Sequence, residues 1–180
     1  MRARTPILAS LLLALAGCGG PVLFAEVEMP SVEVTLPQYQ FPSVVGQASQ
    51  DITFDVGATV SIINEPNVDY DLTLNEMTIV LGSGPFTSFD SFDSVKITAI
   101  RAGLPDLVLV EYVNPHTATN VQSVTARSST SADLKPYLDA GKITVHAEFT
   151  TDLTTPAGLW TADVTADLRL RVRLDYGAYL

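Results

Sequence analysis

From Asp51 onward, apolar and polar residues alternate with a period of two along most of the chain. This is the pattern of strands with one buried and one wet face. The run DVTADLRLRVRL carries it most strictly. Val164, Ala166, Leu168, Leu170, Val172 and Leu174 fall on one side, and Asp163, Thr165, Asp167, Arg169, Arg171 and Arg173 on the other. A helix would scatter those arginines around its circumference, whereas a strand collects them on one face. KITVHAEFT repeats the pattern, with Ile143, Val145, Ala147 and Phe149 opposed to Thr144, His146 and Glu148. SVKITAI, DLVLVEYV and the β-branched run ITFDVGATVSII predict further strands. In DYDLTLNEMTIVL the identity of the apolar face blurs part-way, which predicts a bulge near Asn75-Glu76.

Turn chemistry separates these runs. Asn64-Glu65-Pro66-Asn67, Gly82-Ser83-Gly84-Pro85, Gly103-Leu104-Pro105-Asp106, Asn114-Pro115, Asp139-Ala140-Gly141-Lys142 and Thr155-Pro156-Ala157-Gly158 all punctuate the pattern. Only SADLKPYLDAG has a helical look. Ser131 is its candidate cap, and Pro136 limits it to a turn or two. Short strands without long helices between them predict an all-β domain. The expected fold is an antiparallel β-sandwich of seven to nine strands, immunoglobulin-like in the loose sense, with a small β-barrel as the alternative. Before Asp51 the pattern fades. Pro30, Pro37 and Pro42 interrupt residues 31–50, which are expected to be extended with at most an edge strand at Val32–Leu36.

The N-terminus is of a different kind. Arg2 and Arg4 precede an apolar run from Ile7 to Ala16, the layout of a secretory leader and too short for a permanent span of ~20 residues. The run ends in Leu15-Ala16-Gly17-Cys18, and Cys18 is the only cysteine in the chain. This segment resembles the leaders of bacterial lipoproteins. The resemblance covers the first 18 residues and implies a diacylglycerol on the Cys18 thiol, removal of residues 1–17 and N-acylation of the freed amine. It further implies a palmitate-type anchor in the outer membrane, since Gly19 and Gly20 stand where a retaining aspartate would be. Apart from those acyl groups no cofactor is expected. With no second cysteine to pair with, Cys18 under an ordinary leader would be left unexplained. The expected organisation is a signal peptide over 1–17, a lipidated tether over 18–30 and the sandwich over 31–180.

Charge narrows the partners. The chain has 10 basic and 20 acidic residues, and losing Arg2 and Arg4 leaves 8 − 20 = −12. Such a surface repels phosphate backbones, so nucleic acid is not an expected partner. The partners expected are the membrane, through the anchor, and an envelope protein or glycan.

Candidate chemistry is sparse. His116 falls in a loop and His146 on a strand, where Glu148 shares its face, but no metal-ligand spacing surrounds either. Ser83 lies in a turn without the nucleophile-elbow pattern. Asp69 with Asp71, and Asp90 with Asp93, fall at strand ends where a loop would wrap calcium, yet the bidentate glutamate of such loops is missing. No metal and no catalytic group is therefore assigned. Two surface features remain as binding candidates. Arg169, Arg171 and Arg173 make a stripe suited to phosphate or carboxylate, or a wet face paired across the ladder with acids such as Glu148. Phe86, Phe89 and Phe92 make either a plug at one end of the sandwich or an exposed patch, and Trp160 or Tyr112 would serve as a sugar platform if exposed. The function expected is a non-catalytic envelope lipoprotein with a binding or structural domain. A carbohydrate-binding module and, behind it, a hydrolase are the alternatives.

Overall fold

In the computed structural model, residues 24–65, 68–117, 119–155 and 158–175 are described. The strands are β1 (Phe24–Phe41), β2 (Gln47–Asp55), β3 (Asp69–Leu81), β4 (Phe92–Ile100), β5 (Leu107–Val113), β6 (Ser123–Arg127), β7 (Leu138–Asp139), β8 (Lys142–Thr151) and β9 (Trp160–Asp175). One sheet has the order β1-β9-β3-β6 and the other the order β2-β8-β4-β5, with β7 added against β8. All pairings are antiparallel. The expected sandwich is therefore formed, and the two sheets do not close into a barrel. Only β4–β5 and β7–β8 are linked as neighbours within one sheet; most connections cross between sheets. That order is a jelly roll of two interlocked Greek keys. The likeness to immunoglobulin domains is one of architecture and not of strand order.

The two-residue period becomes the core. In β9 the side chains of Ala162, Val164, Ala166, Leu168, Leu170 and Val172 are at most 4% exposed. Ile143, Val145, Ala147 and Phe149 of β8 face them from the other sheet and are equally buried. In β3, Tyr70, Leu72 and Leu74 are buried and then Met77 and Ile79, so the inward face changes parity. The register with β9 shifts between Leu74 and Glu76, which is the anticipated bulge.

Two expectations are corrected. Strand pairing begins at Phe24, so residues 24–30 belong to the sheet and not to a tether, and the short edge strand at Val32–Leu36 is the middle of an 18-residue one. The prolines did not prevent this because they sit where the ladder is broken. The register with β9 shifts between Met29 and Val32, around Pro30, and between Leu36 and Tyr39, around Pro37. A proline at a bulge of an edge strand costs no ladder hydrogen bond. The second shift is held by Asp163, whose Oδ1 accepts from the backbone N–H of Gln38 at 2.7 Å, with Gln38 at φ 51°. The second correction concerns ITFDVGATVSII. Its strand stops at Asp55, whose carboxylate accepts from the Ala58 N–H and caps a one-turn helix, α1 (Val56–Thr59). A short 3₁₀ turn follows at Ser61–Asn64. The helical look of residues 131–141 reduces to a single 3₁₀ turn at Lys135–Tyr137.

The β7–β8 turn locks against α1. Ala140 and Gly141 both have positive φ, 47° and 77°, as the tight hairpin turn requires. Gly57 donates its N–H to the Gly141 carbonyl at 2.8 Å. A Cβ on Gly141 would lie 2.5 Å from Asn64 Oδ1 and 3.2 Å from Gly57 Cα. Gly141→Ala is accordingly expected to cost ~2 kcal/mol, seen as a lower urea midpoint. Ala140→Gly relieves a left-handed alanine and should leave the midpoint unchanged or raised; a loss in Ala140→Gly matching that in Gly141→Ala would refute this account of the turn.

Candidate functional site

The end of the sandwich where β1 finishes and β9 begins is filled by aromatic rings. Phe41 and Trp160 are paired in register across β1 and β9, and their rings stack at 4.3 Å between centroids with 16° between planes. Phe92 and Phe149, from the second sheet, meet Trp160 edge-on at 5.5 and 5.6 Å. The loop between β3 and β4 contributes Phe86, 5.6 Å from Trp160, and Phe89, 5.1 Å from Phe92. Perpendicular and tilted arrangements suit the ring quadrupoles, so these contacts add to the burial of the rings. Phe41, Phe89 and Phe92 are 1% exposed and Trp160 is 2%.

This is the plug, and the exposed aromatic patch is not formed. Phe86, partly buried, packs against the same core. Trp160 offers no ring face to a sugar, and Tyr112, partly buried, packs against the core between the sheets. The physical reason lies in partners remote in sequence: Phe41 and Phe149 supply apolar surface that the Phe86–Phe92 stretch lacks by itself. The loop is tied down by backbone bonds. Phe89 N–H donates to the Val121 carbonyl at 2.7 Å, and Asn114 Nδ2 donates to the carbonyls of Phe89 and Phe92. Gly84, at φ 142°, presses its backbone on Trp160: a Cβ there would be 2.8 Å from the tryptophan Cβ and 2.9 Å from its Cα.

The arginine stripe lies toward the other end of β9 and is a paired ladder. Arg171 Nε is 3.0 Å from Glu26 Oε1, and Arg169 Nε is 3.7 Å from Glu28 Oε1, both on β1. Arg173 bonds Asp69 at 3.2 Å and also Asp71, both on β3. Lys135 closes on Asp69 at 2.9 Å. The acids expected to serve here came out differently: Glu148 is on the opposite sheet, 3.6 Å from Lys96. The lysine and then Arg173 hold the Asp69 carboxyl below its ordinary value. Each guanidinium is thus ion-paired with a carboxylate of this chain.

The remaining candidates are dispersed. His116 Nε2 is 3.3 Å from Asp93 in the plug-end loops, and His146 Nδ1 is 2.6 Å from Asp51 on the outer face of β2 and β8. The His146–Glu148 pair gathers no third ligand, and among the described residues no group of three or more His, Cys, Asp or Glu is placed to hold a metal. Asp69 and Asp71 are engaged as above. The Asn120 N–H donates to Asp90 at 2.9 Å and holds that carboxyl below its usual value, joining two loops. Ser83 shares a hydrogen bond with the Thr161 hydroxyl at 3.1 Å. A shallow depression of about 520 Å³ lies over Asp51, Lys96, Thr98, His146 and Glu148 on the outer face of the second sheet. Cys18 lies outside the described residues.

No protein-family model and no curated protein matches the chain. Solved structures similar to it come from Desmodium yellow mottle tymovirus, at 9% identity over 91% of this chain and 94% of that one with a TM-score of 0.36. Others come from tobacco necrosis virus, at 9% identity over 92% and 93% with a TM-score of 0.33, and from turnip yellow mosaic virus, at 12% identity over 96% and 92% with a TM-score of 0.31.

Two outcomes follow from this geometry. Trp160→Ala empties the plug and is expected to cost ~3–5 kcal/mol of unfolding free energy, while Gly84→Ala costs ~1–3 kcal/mol. Trp160 is the one tryptophan of the chain, so its emission in Gly84→Ala reports whether the ring stays buried; an unaltered urea midpoint and emission would disprove the contact. The second outcome concerns acid. A carboxyl held below its unfolded value contributes stability at neutral pH, and that contribution is lost as pH falls through the lowered value. Asp69→Asn should therefore flatten the fall of the urea midpoint below about pH 4. A fall as steep as in the parent protein would show that the Lys135–Asp69–Arg173 cluster is uncoupled from folding.

Proposed function

We infer that this chain is an exported lipoprotein, anchored to the outer membrane through Cys18, whose jelly-roll domain acts by surface contact as a binding or structural module of the envelope. The observation that carries the reading is the Leu15-Ala16-Gly17-Cys18 sequence closing a short apolar run, with no other cysteine in the chain. Three acyl chains on one residue bury enough methylenes, at ~0.8 kcal/mol each, for durable attachment where a single chain anchors only marginally. No helix among the described residues is long and apolar enough to cross a membrane, so the anchor is the feature that supports a membrane location.

Surface contact is favoured over catalysis by the way the reactive side chains are used. His116 is paired with Asp93, His146 with Asp51 and Ser83 with Thr161, so each is bonded to a different partner. Nucleophile–base chemistry needs such groups within hydrogen-bond reach of one another. The glycan alternative rested on Trp160, whose ring is committed to the plug, and on Tyr112, which is partly buried against the core.

The test is mass spectrometry of the mature protein from its host. The N-terminal peptide is expected to begin at Cys18 and to carry diacylglycerol and an N-linked acyl chain. Cys18→Ser should move the protein from the membrane fraction to the soluble one. An unmodified Cys18 thiol in the mature chain would sink the proposal.

A further inference from the structure

Strand β5 ends the order β2-β8-β4-β5 and strand β6 ends the order β1-β9-β3-β6, on one side of the sandwich. On the other side the terminal strands β1 and β2 are tied together, with the Tyr39 hydroxyl donating to the Asp51 carbonyl at 3.0 Å. The hydrogen-bonding direction along β5 is set at its end. Asn114 donates its N–H to the Asp93 carbonyl of β4 at 2.8 Å. Successive residues of an antiparallel strand turn their N–H and C=O groups to opposite edges. Tyr112 and Val110 therefore face β4, and Glu111 and Val113 face outward. Leu109 faces outward as well, and its carbonyl accepts from the Ser129 N–H at 2.8 Å. Among the described residues no backbone hydrogen bond reaches the outward groups of Glu111 and Val113. Such an edge is a template for one more extended chain.

The side chains along this edge select the chain that fits it. Glu111 ends a row of the outer face that runs Ser49, Glu148, Lys96, Glu111 across four strands. Lys96, the one cation of that row, is paired with Glu148 at 3.6 Å, and none of the ion pairs among the described residues includes Glu111. A cation on a neighbouring strand would complete the row, since opposite charges facing each other across a ladder attract. Val113 is 70% exposed, the largest value among the exposed large apolar side chains. On the inner face Val110 and Tyr112 border a narrow apolar slot, closed from the other sheet by Met77, Ile79, Val124 and Ala126. A second copy of this chain is a poor occupant, because β5 contains no lysine or arginine to place against Glu111. Strand β6 exposes Ser123, Thr125 and Arg127 and offers a cationic segment neither an acid nor an apolar contact there.

We propose that the free edge of β5 is a docking site for an extended segment of a partner protein. The segment adds antiparallel as a further strand, with a lysine or arginine opposite Glu111 and apolar residues opposite Tyr112 and Val113. The proposal rests on the surface-contact half of the reading above, for which it names the partner's chemistry, and is independent of the lipid at Cys18.

The experiment uses the full chain, purified from its host in detergent, and a blocked synthetic peptide, Thr-Val-Val-Lys-Val-Thr, whose lysine falls opposite Glu111 when it pairs antiparallel. Residue-resolved amide exchange is the readout. At saturating peptide the Glu111 and Val113 amides should slow by roughly tenfold or more, while the Thr125 amide on the β6 edge stays fast. The same peptide with glutamate in place of lysine should give no protection. Val113→Pro removes an outward N–H without breaking a bond of the ladder, so it should keep the parent urea midpoint and lose the peptide. Should that variant fail to fold, Glu111→Lys carries the test: it should reject the lysine peptide and accept the glutamate one. Fast exchange at Glu111 and Val113 in millimolar peptide, or equal binding of the two peptides, overturns the proposal. Protection that appears without peptide and grows with protein concentration assigns the edge to a second copy and overturns it too. Each of these results leaves the anchor at Cys18 standing.

Discussion

Strand β9 is the constraint on which the rest of the structure depends. It is bonded along both edges, to β1 from Phe24↔Asp175 to Phe41↔Trp160 and to β3 from Asp69↔Arg173 to Leu81↔Ala162. Because side chains alternate, a slip of one residue would expose Val164 through Val172 and drive three arginines into the core. Burying unpaired guanidinium groups is prohibitive. The arginines therefore specify register by what they forbid, and their pairing with Glu26, Glu28, Asp69 and Asp71 adds only the modest attraction of exposed ion pairs. Trp160 opens the same strand, so register fixes the plug as well as the ladder.

Features written locally in the chain were readable, and features that depend on remote partners were not. The alternation of β8 and β9, the turns at Gly82–Pro85 and Asp139–Lys142 and the bulge after Leu74 all follow from neighbouring residues. The first half of β1 was not legible. Its two prolines argue against a strand unless one knows that β9 is long enough to pair with it and that Pro30 and Pro37 fall at breaks in the ladder. The jelly-roll order was also hidden, since period two says that a strand has an inside and nothing about which strand lies beside it. Among the candidate site residues, a wet, paired arginine stripe and a plug formed by Phe86, Phe89 and Phe92 were both foreseeable. Their partners were not: Glu26 and Phe41 lie more than a hundred residues before Arg171 and Trp160. Gly84 left one faint signal, a glycine followed by proline before an aromatic run.

The two ends of the sandwich are closed by different physics. At the plug end, stacked and perpendicular rings exclude water, and the loops over them are joined by backbone bonds such as Phe89 to Val121. At the other end, Lys135, Asp69, Arg173 and Asp71 bridge β3, β9 and the turn before β7 in contact with solvent. Aromatic packing is indifferent to salt and to mild acid, whereas exposed ion pairs are screened by one and neutralised by the other.

This asymmetry separates the responses of the two ends to salt. Mobile counter-ions screen charges over about a Debye length. Their effect falls on the ion-paired end, where each pair is weak and a lost contact is replaced by solvation. The plug, roughly 50 Å away along β9, is beyond that reach. Perturbations at the two ends should then add independently, as they do for sites without shared partners. What the ends share is the backbone of β9, and that strand resists slippage for the reason given above. A sandwich built this way keeps the loops over its aromatic plug fixed whatever the ionic conditions at its other end.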